Sequence, residues 1–148
     1  MGRVVNTDSA GAERNRLRRT IAEALRLLGQ KQAIDDEARD LAALIVYSLR
    51  GIAQGVDTSA AAWEKRDYYM KADRFRLQWA WVEPAARQLE IVLVREKWDD
   101  LPTVLALLLP RFSDIKLTKM TRTPDLWAGC YDRLVKEDRA KTGANARL

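Results

Sequence analysis

The sequence predicts an all-α fold, an antiparallel up-down four-helix bundle with a C-terminal helical extension. Three observations lead there. Apolar residues recur every three or four positions through most of the 148-residue chain, the period of one helix face. Only 7 Gly and 4 Pro are present, too few for the many turns of a β architecture. The gaps between the first three apolar stripes are short, and short connections make sequential helices antiparallel neighbours. The length suits one domain, with 1–8 as a flexible lead, 9–98 as core helices, 99–140 as C-terminal helices and 141–148 as a tail. A chain of this size buries roughly 70% of its unfolded surface, so it needs no disulfide or metal to hold together.

The first helix is expected from an N-cap at Ser9 to about Leu28, with Gly29 as its stop. Leu17, Ile21, Ala24, Leu25 and Leu28 share one face, and Arg14, Arg18, Arg19 and Arg26 lie largely off it. Asp35 or Asp36 can cap the second helix, with Glu37 favouring its first turn. Its core stripe is Ala38, Leu41, Ala42, Ile45, Leu49 and Ile52, and Gly55 marks its end. Thr58 or Ser59 then caps a third helix whose stripe runs Tyr68, Ala72, Phe75, Trp79, Val82, Ala86, Leu89, Leu93. Pro84 should kink or break that helix near residues 80–83, because the Ala80 carbonyl loses its N–H partner. Asp99 or Asp100 caps a short helix over Leu101–Leu109, followed by Pro110. Residues 111–122 are basic and lack a period. Thr123-Pro124-Asp125 reads as the start of a last helix to about Arg139, after which the tail frays. Either 101–109 or 123–139 can complete the bundle.

Leu44, Val46 and Tyr47 on the second helix, and Leu77 and Trp81 on the third, fall off the core stripes. A helix apolar nearly all round is buried on more than one side. In a small domain that points to contact with another copy, and Leu44, Tyr47, Leu77 and Trp81 are the candidate interface.

Several chemistries are excluded by composition. The absence of His removes His-based triads and nearly every zinc or haem site. The single Cys130 allows no internal disulfide and no thiolate cluster, and fits a reducing cytoplasm. No Gly-rich phosphate loop is present. No cofactor is expected, and no apolar run approaches the ~20 residues of a membrane span. The opening residues lack the apolar core of a signal peptide. One enzyme-like pattern remains, the carboxylates of Glu37-x-x-Asp40 and Glu64-x-x-Asp67, with Asp73. All-helical nucleotide pyrophosphatases hold Mg²⁺ with such acids, since that ion takes hard oxygen ligands. Antiparallel helices turning near Val56 would set these groups roughly 7–12 Å out of register at 1.5 Å per residue. The plainer reading is that acids in first turns complement helix dipoles.

Charge is unevenly placed. Residues 1–31 carry seven basic and three acidic side chains, 32–110 ten and thirteen, and 111–148 nine and five. Basic ends around an acidic middle suit a polyanion. The candidate phosphate-binding residues are Arg14, Arg16, Arg18, Arg19 and Arg26 on the first helix, and Arg111, Lys116, Lys119 and Arg122 in the aperiodic segment. Each would neutralise a phosphate and release counterions. No base-reading motif accompanies them, so RNA or DNA would be held by shape and charge. A solvated basic face is the bland alternative. Of the five Trp, Trp63 and Trp98 lie near helix ends and could serve as stacking platforms; Trp79, Trp81 and Trp127 fit packing better.

Residues 12–98 resemble a small bacterial four-helix-bundle family. It contains the 23S rRNA intervening-sequence proteins and the accessory variability determinants of diversity-generating retroelements. The similar features are an apolar second helix ending in Ile52-Ala53-Gln54-Gly55, a polar loop, and a long helix with early aromatics and a later Gln88-Leu89 apolar run. The resemblance implies a homopentamer with a basic surface, no catalytic residues, and binding to a reverse transcriptase and its RNA. The expected function is therefore a non-enzymatic, nucleic-acid-binding accessory protein. A helical protein-interaction module and, further off, a magnesium-dependent nucleotide pyrophosphatase are the alternatives.

Overall fold

The structure, a computed structural model, describes residues 7–146, with side chains over 9–143. It is all-helical, and among the described residues there is no strand. The helices are α1 (Thr7–Gly29), α2 (Asp36–Glu64), α3 (Tyr69–Gln78), α4 (Val82–Val94), α5 (Leu101–Phe112) and α6 (Cys130–Ala146). Single 3-10 turns occupy Trp98–Asp100 and Pro124–Leu126. No described helix is long and apolar enough to cross a membrane.

Helix α2 is the axis of the molecule. It packs against α1, α3, α4 and α6, while α5 lies on α1 and α4. Its expected stripe of Ala38, Leu41, Ala42, Ile45, Leu49 and Ile52 is buried, and so are Ala43, Leu44 and Val46. The core continues through Ile21 and Leu25 of α1, Val82, Leu89 and Leu93 of α4, Leu101, Val104, Leu108 and Phe112 of α5, and Leu134 of α6. Both 101–112 and 130–146 thus contribute to one core.

Several element boundaries differ from the sequence reading. Ser9 is not an N-cap, because α1 already includes Thr7; the rest of the expected lead, residues 1–6, lies outside the described residues. Asp35 is the cap of α2, its Oδ1 accepting the Ala38 N–H at 2.8 Å. Gly55 does not end α2, and neither Thr58 nor Ser59 caps a new helix. The Thr58 hydroxyl donates to the Gln54 carbonyl within the same helix, at 3.1 Å. Val56, Ser59 and Ala60 are buried, so the helix beyond Gly55 gains core contact that outweighs one permissive glycine. The stop falls instead at Asp67, whose φ of 63° lies in the left-handed region. There the Tyr68 N–H reaches the Trp63 carbonyl at 2.9 Å and the Asp67 N–H the Glu64 carbonyl at 3.0 Å. This is the bonding pattern by which a helix C-terminus is closed on a left-handed residue. The end of α4 repeats it at Glu96, φ 54°, with Lys97 N–H on the Val92 carbonyl at 2.9 Å.

The expected break before Pro84 is present: α3 ends at Gln78 and α4 begins at Val82. Pro110 does not follow α5 but lies within it, as Phe112 beyond it is buried and keeps the last turn docked. Thr123-Pro124-Asp125 starts only a 3-10 turn. The cap of α6 comes from α2, where Asp40 accepts the N–H groups of Gly129 at 3.2 Å and Tyr131 at 3.0 Å. Gly129, at φ 82°, makes the bend that aims those donors. The tail expected to fray is helical through Ala146.

One consequence is measurable. Gly55 sits in a helix interior, and a Cβ placed there meets nothing within 4 Å. Gly55→Ala should stabilise the protein by about 1 kcal/mol in urea unfolding. Were Gly55 a left-handed helix stop, the same change would destabilise it.

Candidate nucleic-acid interface

The two basic segments expected to bind phosphate do meet. Residues 113–123, between α5 and the second 3-10 turn, run as a strap along the basic face of α1. The contacts between them use up much of the cationic capacity. Arg18 clasps the Asp114 carboxylate at 3.0 and 2.7 Å and donates to the Arg111 carbonyl at 2.9 Å. Arg19 donates to the Lys119 carbonyl at 2.7 Å, and Arg26 to the Leu117 carbonyl at 2.9 Å. In return Arg122 of the strap donates to the Arg16 carbonyl at 2.9 Å and to the Thr20 hydroxyl at 3.1 Å. An irregular segment has no ladder of its own for its carbonyls, and guanidinium groups supply the donors.

Glu23 fixes the strap. Its side chain is 1% exposed. One carboxylate oxygen accepts the N–H groups of Thr121 and Arg122, at 2.7 and 2.9 Å. The other accepts the Thr121 hydroxyl at 2.8 Å and Arg19 Nε at 2.9 Å. Burial by itself would push this carboxyl up. The Arg122 N–H, the Thr121 hydroxyl and N–H, and Arg19 outweigh it and hold the group at about 2. In the sequence, an isolated acid in a basic helix gives no sign of a partner 98 residues on.

Four of the nine expected phosphate ligands, Arg18, Arg19, Arg26 and Arg122, are therefore held within the subunit. Arg14 is drawn inward too: its guanidinium carbon lies 4.8 Å from the Phe75 ring centre and 5.5 Å from that of Trp79. Burial pushes its pKa down from the ordinary value. Arg16 is exposed and pairs with Glu13 at 2.5 Å. Arg111, Lys116 and Lys119 are exposed, and none is among the ion pairs of the described residues. Arg111 rests over the Trp81 ring at 4.6 Å.

The apolar positions expected to be spare are largely used inside the chain. Leu44 is buried. Tyr47 is half-buried between the guanidiniums of Arg50 and Arg133, 5.4 and 4.2 Å from its ring centre. Burial, then the Glu137 carboxylate, push its phenol up to about 12. Trp81 packs edge-on to Phe112 and alongside Trp79. Only Leu77 of the four is exposed. Arg133 of α6 covers Tyr47, and Phe112 of α5 covers Trp81.

Trp63 and Trp98 are half-buried at helix ends, each under a cation, Lys71 at 4.5 Å and Arg39 at 4.6 Å. The acids of the pyrophosphatase pattern are dispersed. Glu37 pairs with Lys31 at 2.6 Å. Asp40 caps α6, and Glu64 pairs with Arg76 at 2.8 Å. Among the described residues no three His, Cys, Asp or Glu side chains are grouped so as to hold a metal ion. Cys130 is buried, and burial pushes its thiol up.

One feature was missed by the sequence reading. Lys65, Arg66, Tyr68, Tyr69, Lys71 and Arg74 are all exposed around the junction of α2 and α3. The run KRDYYMK carries their signal, but helical spacing also makes Tyr68 the first residue of an apolar stripe. Compared with protein families, with curated proteins and with solved structures, the chain gives no match.

Proposed function

We propose that this protein binds a nucleic-acid backbone without catalysing a reaction, through the outer side of the strap and the adjoining end of α1. The observation that carries the reading is the set Arg111, Lys116 and Lys119. These are exposed cations outside any ion pair of the described residues, Arg111 at the end of α5 and the two lysines on the strap, whose backbone Glu23, Arg19 and Arg26 hold in place. Residues 111–122 contain four basic side chains and one acid, Asp114, which Arg18 neutralises. A backbone already held in place loses little freedom when the cations it carries meet phosphates. The resemblance over residues 12–98 supplies the rest of the proposal. In it the helices form an up-down bundle, copies assemble as a homo-oligomer, and the cytoplasmic partner is a reverse transcriptase with its RNA.

Filter binding of a duplex RNA across salt tests this. Affinity should fall with a log–log slope of roughly −2 to −3, about 0.7–0.9 per phosphate contact. Lys116→Ala with Lys119→Ala should flatten that slope by about 2. No retention of RNA or DNA by the wild type at low salt would end the proposal.

A second reading rests on a groove between α1 and α5. It has a volume of about 360 Å³ and is lined by Leu25, Leu28, Ile34, Leu101, Leu105 and Leu109. Leu109 among these is exposed. A protein partner retained after nuclease treatment, with no free RNA bound, would favour this interaction module.

A further inference from the structure

The junction of α2 and α3 forms an open bay of about 810 Å³. Trp63 and Phe75 make its floor, their rings edge to face with centres 4.8 Å apart. Tyr68, Tyr69 and Met70 line it and are 55%, 56% and 69% exposed. Two neighbouring tyrosines left this open contribute little to the core. Apolar rings in water are disfavoured, so a pair kept in a concave site is suited to a flat partner.

The charge around the rings is selective. Lys71 and Arg74 line the bay, Lys65 and Arg66 precede it in the chain, and among the described residues none of the four is within ion-pair distance of a carboxylate. The one cation nearby that is neutralised is Arg76, held by Glu64 and Asp57. The acids at the site are fewer: Asp67, whose Oδ1 lies 3.4 Å from the Tyr69 hydroxyl, and Asp73 on α3. The Lys71 ammonium sits 4.5 Å from the Trp63 ring centre. Cations thus flank the pair of tyrosines on both sides in the chain.

We infer that this bay is a second nucleic-acid site, one that takes single-stranded RNA or DNA by stacking bases on Tyr68 and Tyr69 while Lys65, Arg66, Lys71 and Arg74 hold the flanking phosphates. Stacking needs unpaired bases, and it is sequence-tolerant because every base has a π face. A duplex hides those faces and is left to the strap. An acidic peptide would satisfy the cations and leave the rings unused. The inference rests on the reading that the partner is a nucleic acid, and adds which form of it is bound here.

The test uses the full chain and two probes of one composition, a single-stranded oligonucleotide and its duplex. Tyr68→Ala with Tyr69→Ala should weaken single-strand binding about tenfold or more and leave duplex binding within about twofold. Tyr68→Phe with Tyr69→Phe should retain the affinity, because the rings stack and the hydroxyls do not. Both residues are exposed, so unchanged circular dichroism is expected in either variant. Equal single-strand binding by wild type and the Ala variant overturns the bay, while strap binding that remains sensitive to Lys116→Ala leaves the proposed function standing. No binding of either probe by the wild type overturns both. Wild-type binding to anionic phospholipid vesicles that the Ala variant loses, with single-strand affinity unaltered, assigns the bay to a membrane surface and overturns the inference.

Discussion

Glu23→Ala should lower the unfolding free energy by about 3–5 kcal/mol, the usual effect of removing one partner from a buried charged network. The carboxylate satisfies two backbone N–H groups, a hydroxyl and a guanidinium. Without it the strap loses its main tie, and Arg19 and Arg122 are left with half-buried charge and fewer acceptors. Acid should act in the same direction. The group's folded value is about 2 against an ordinary 4.5. A lowered folded value means that the stabilisation is complete above about pH 4.5 and is lost as pH falls towards 2. The span is worth about 3 kcal/mol, at about 1.4 kcal/mol per pH unit. Urea unfolding from pH 7 down to pH 2 would show a falling limb. Glu23→Gln, less stable at pH 7, should flatten that limb. An unchanged limb in the Gln variant would place the acid sensitivity elsewhere.

The second large effect separates two uses of apolar surface. Leu44→Ala should cost about 2–5 kcal/mol, because the side chain is 7% exposed and its removal leaves a cavity beside α2. Leu77→Ala should change stability by no more than about 0.5 kcal/mol, as Leu77 is 76% exposed. Chemical denaturation reads both. Size-exclusion chromatography of Leu77→Asp then asks whether copies meet at that position. A Leu44 variant as stable as wild type would return that residue to the set available for assembly.

Much of the fold was legible in the chain because it depends on local pattern. The stripe through Ile21 and Leu25, the stripe from Ala38 to Ile52, and the break before Pro84 all follow from spacing or from one residue's missing N–H. The errors fell where a local signal competed with packing. Gly55, Thr58 and Ser59 together read as stop and start, yet burial of Val56 and Ala60 carried α2 past them. Pro110 read as an end, yet burial of Phe112 kept it inside α5. Thr123 read as the cap of α6, a role taken by Asp40. The candidate site was legible as composition and not as geometry. Arg18 and Lys116 look alike in sequence; one clasps Asp114, and the other stands exposed.

Residue order accounts for an all-helical chain, the apolar faces that meet in its core, and the basic character of its two ends. Those properties are sums over neighbouring residues, and neighbours are known as soon as the order is known. Tertiary structure alone decided which cations are engaged within the subunit, which apolar residues lie inside, and that Tyr68 and Tyr69 stand open beside unpaired charge. A side chain's acceptor or cover comes from residues up to about a hundred positions away, as between Glu23 and Thr121. Only folding brings those together.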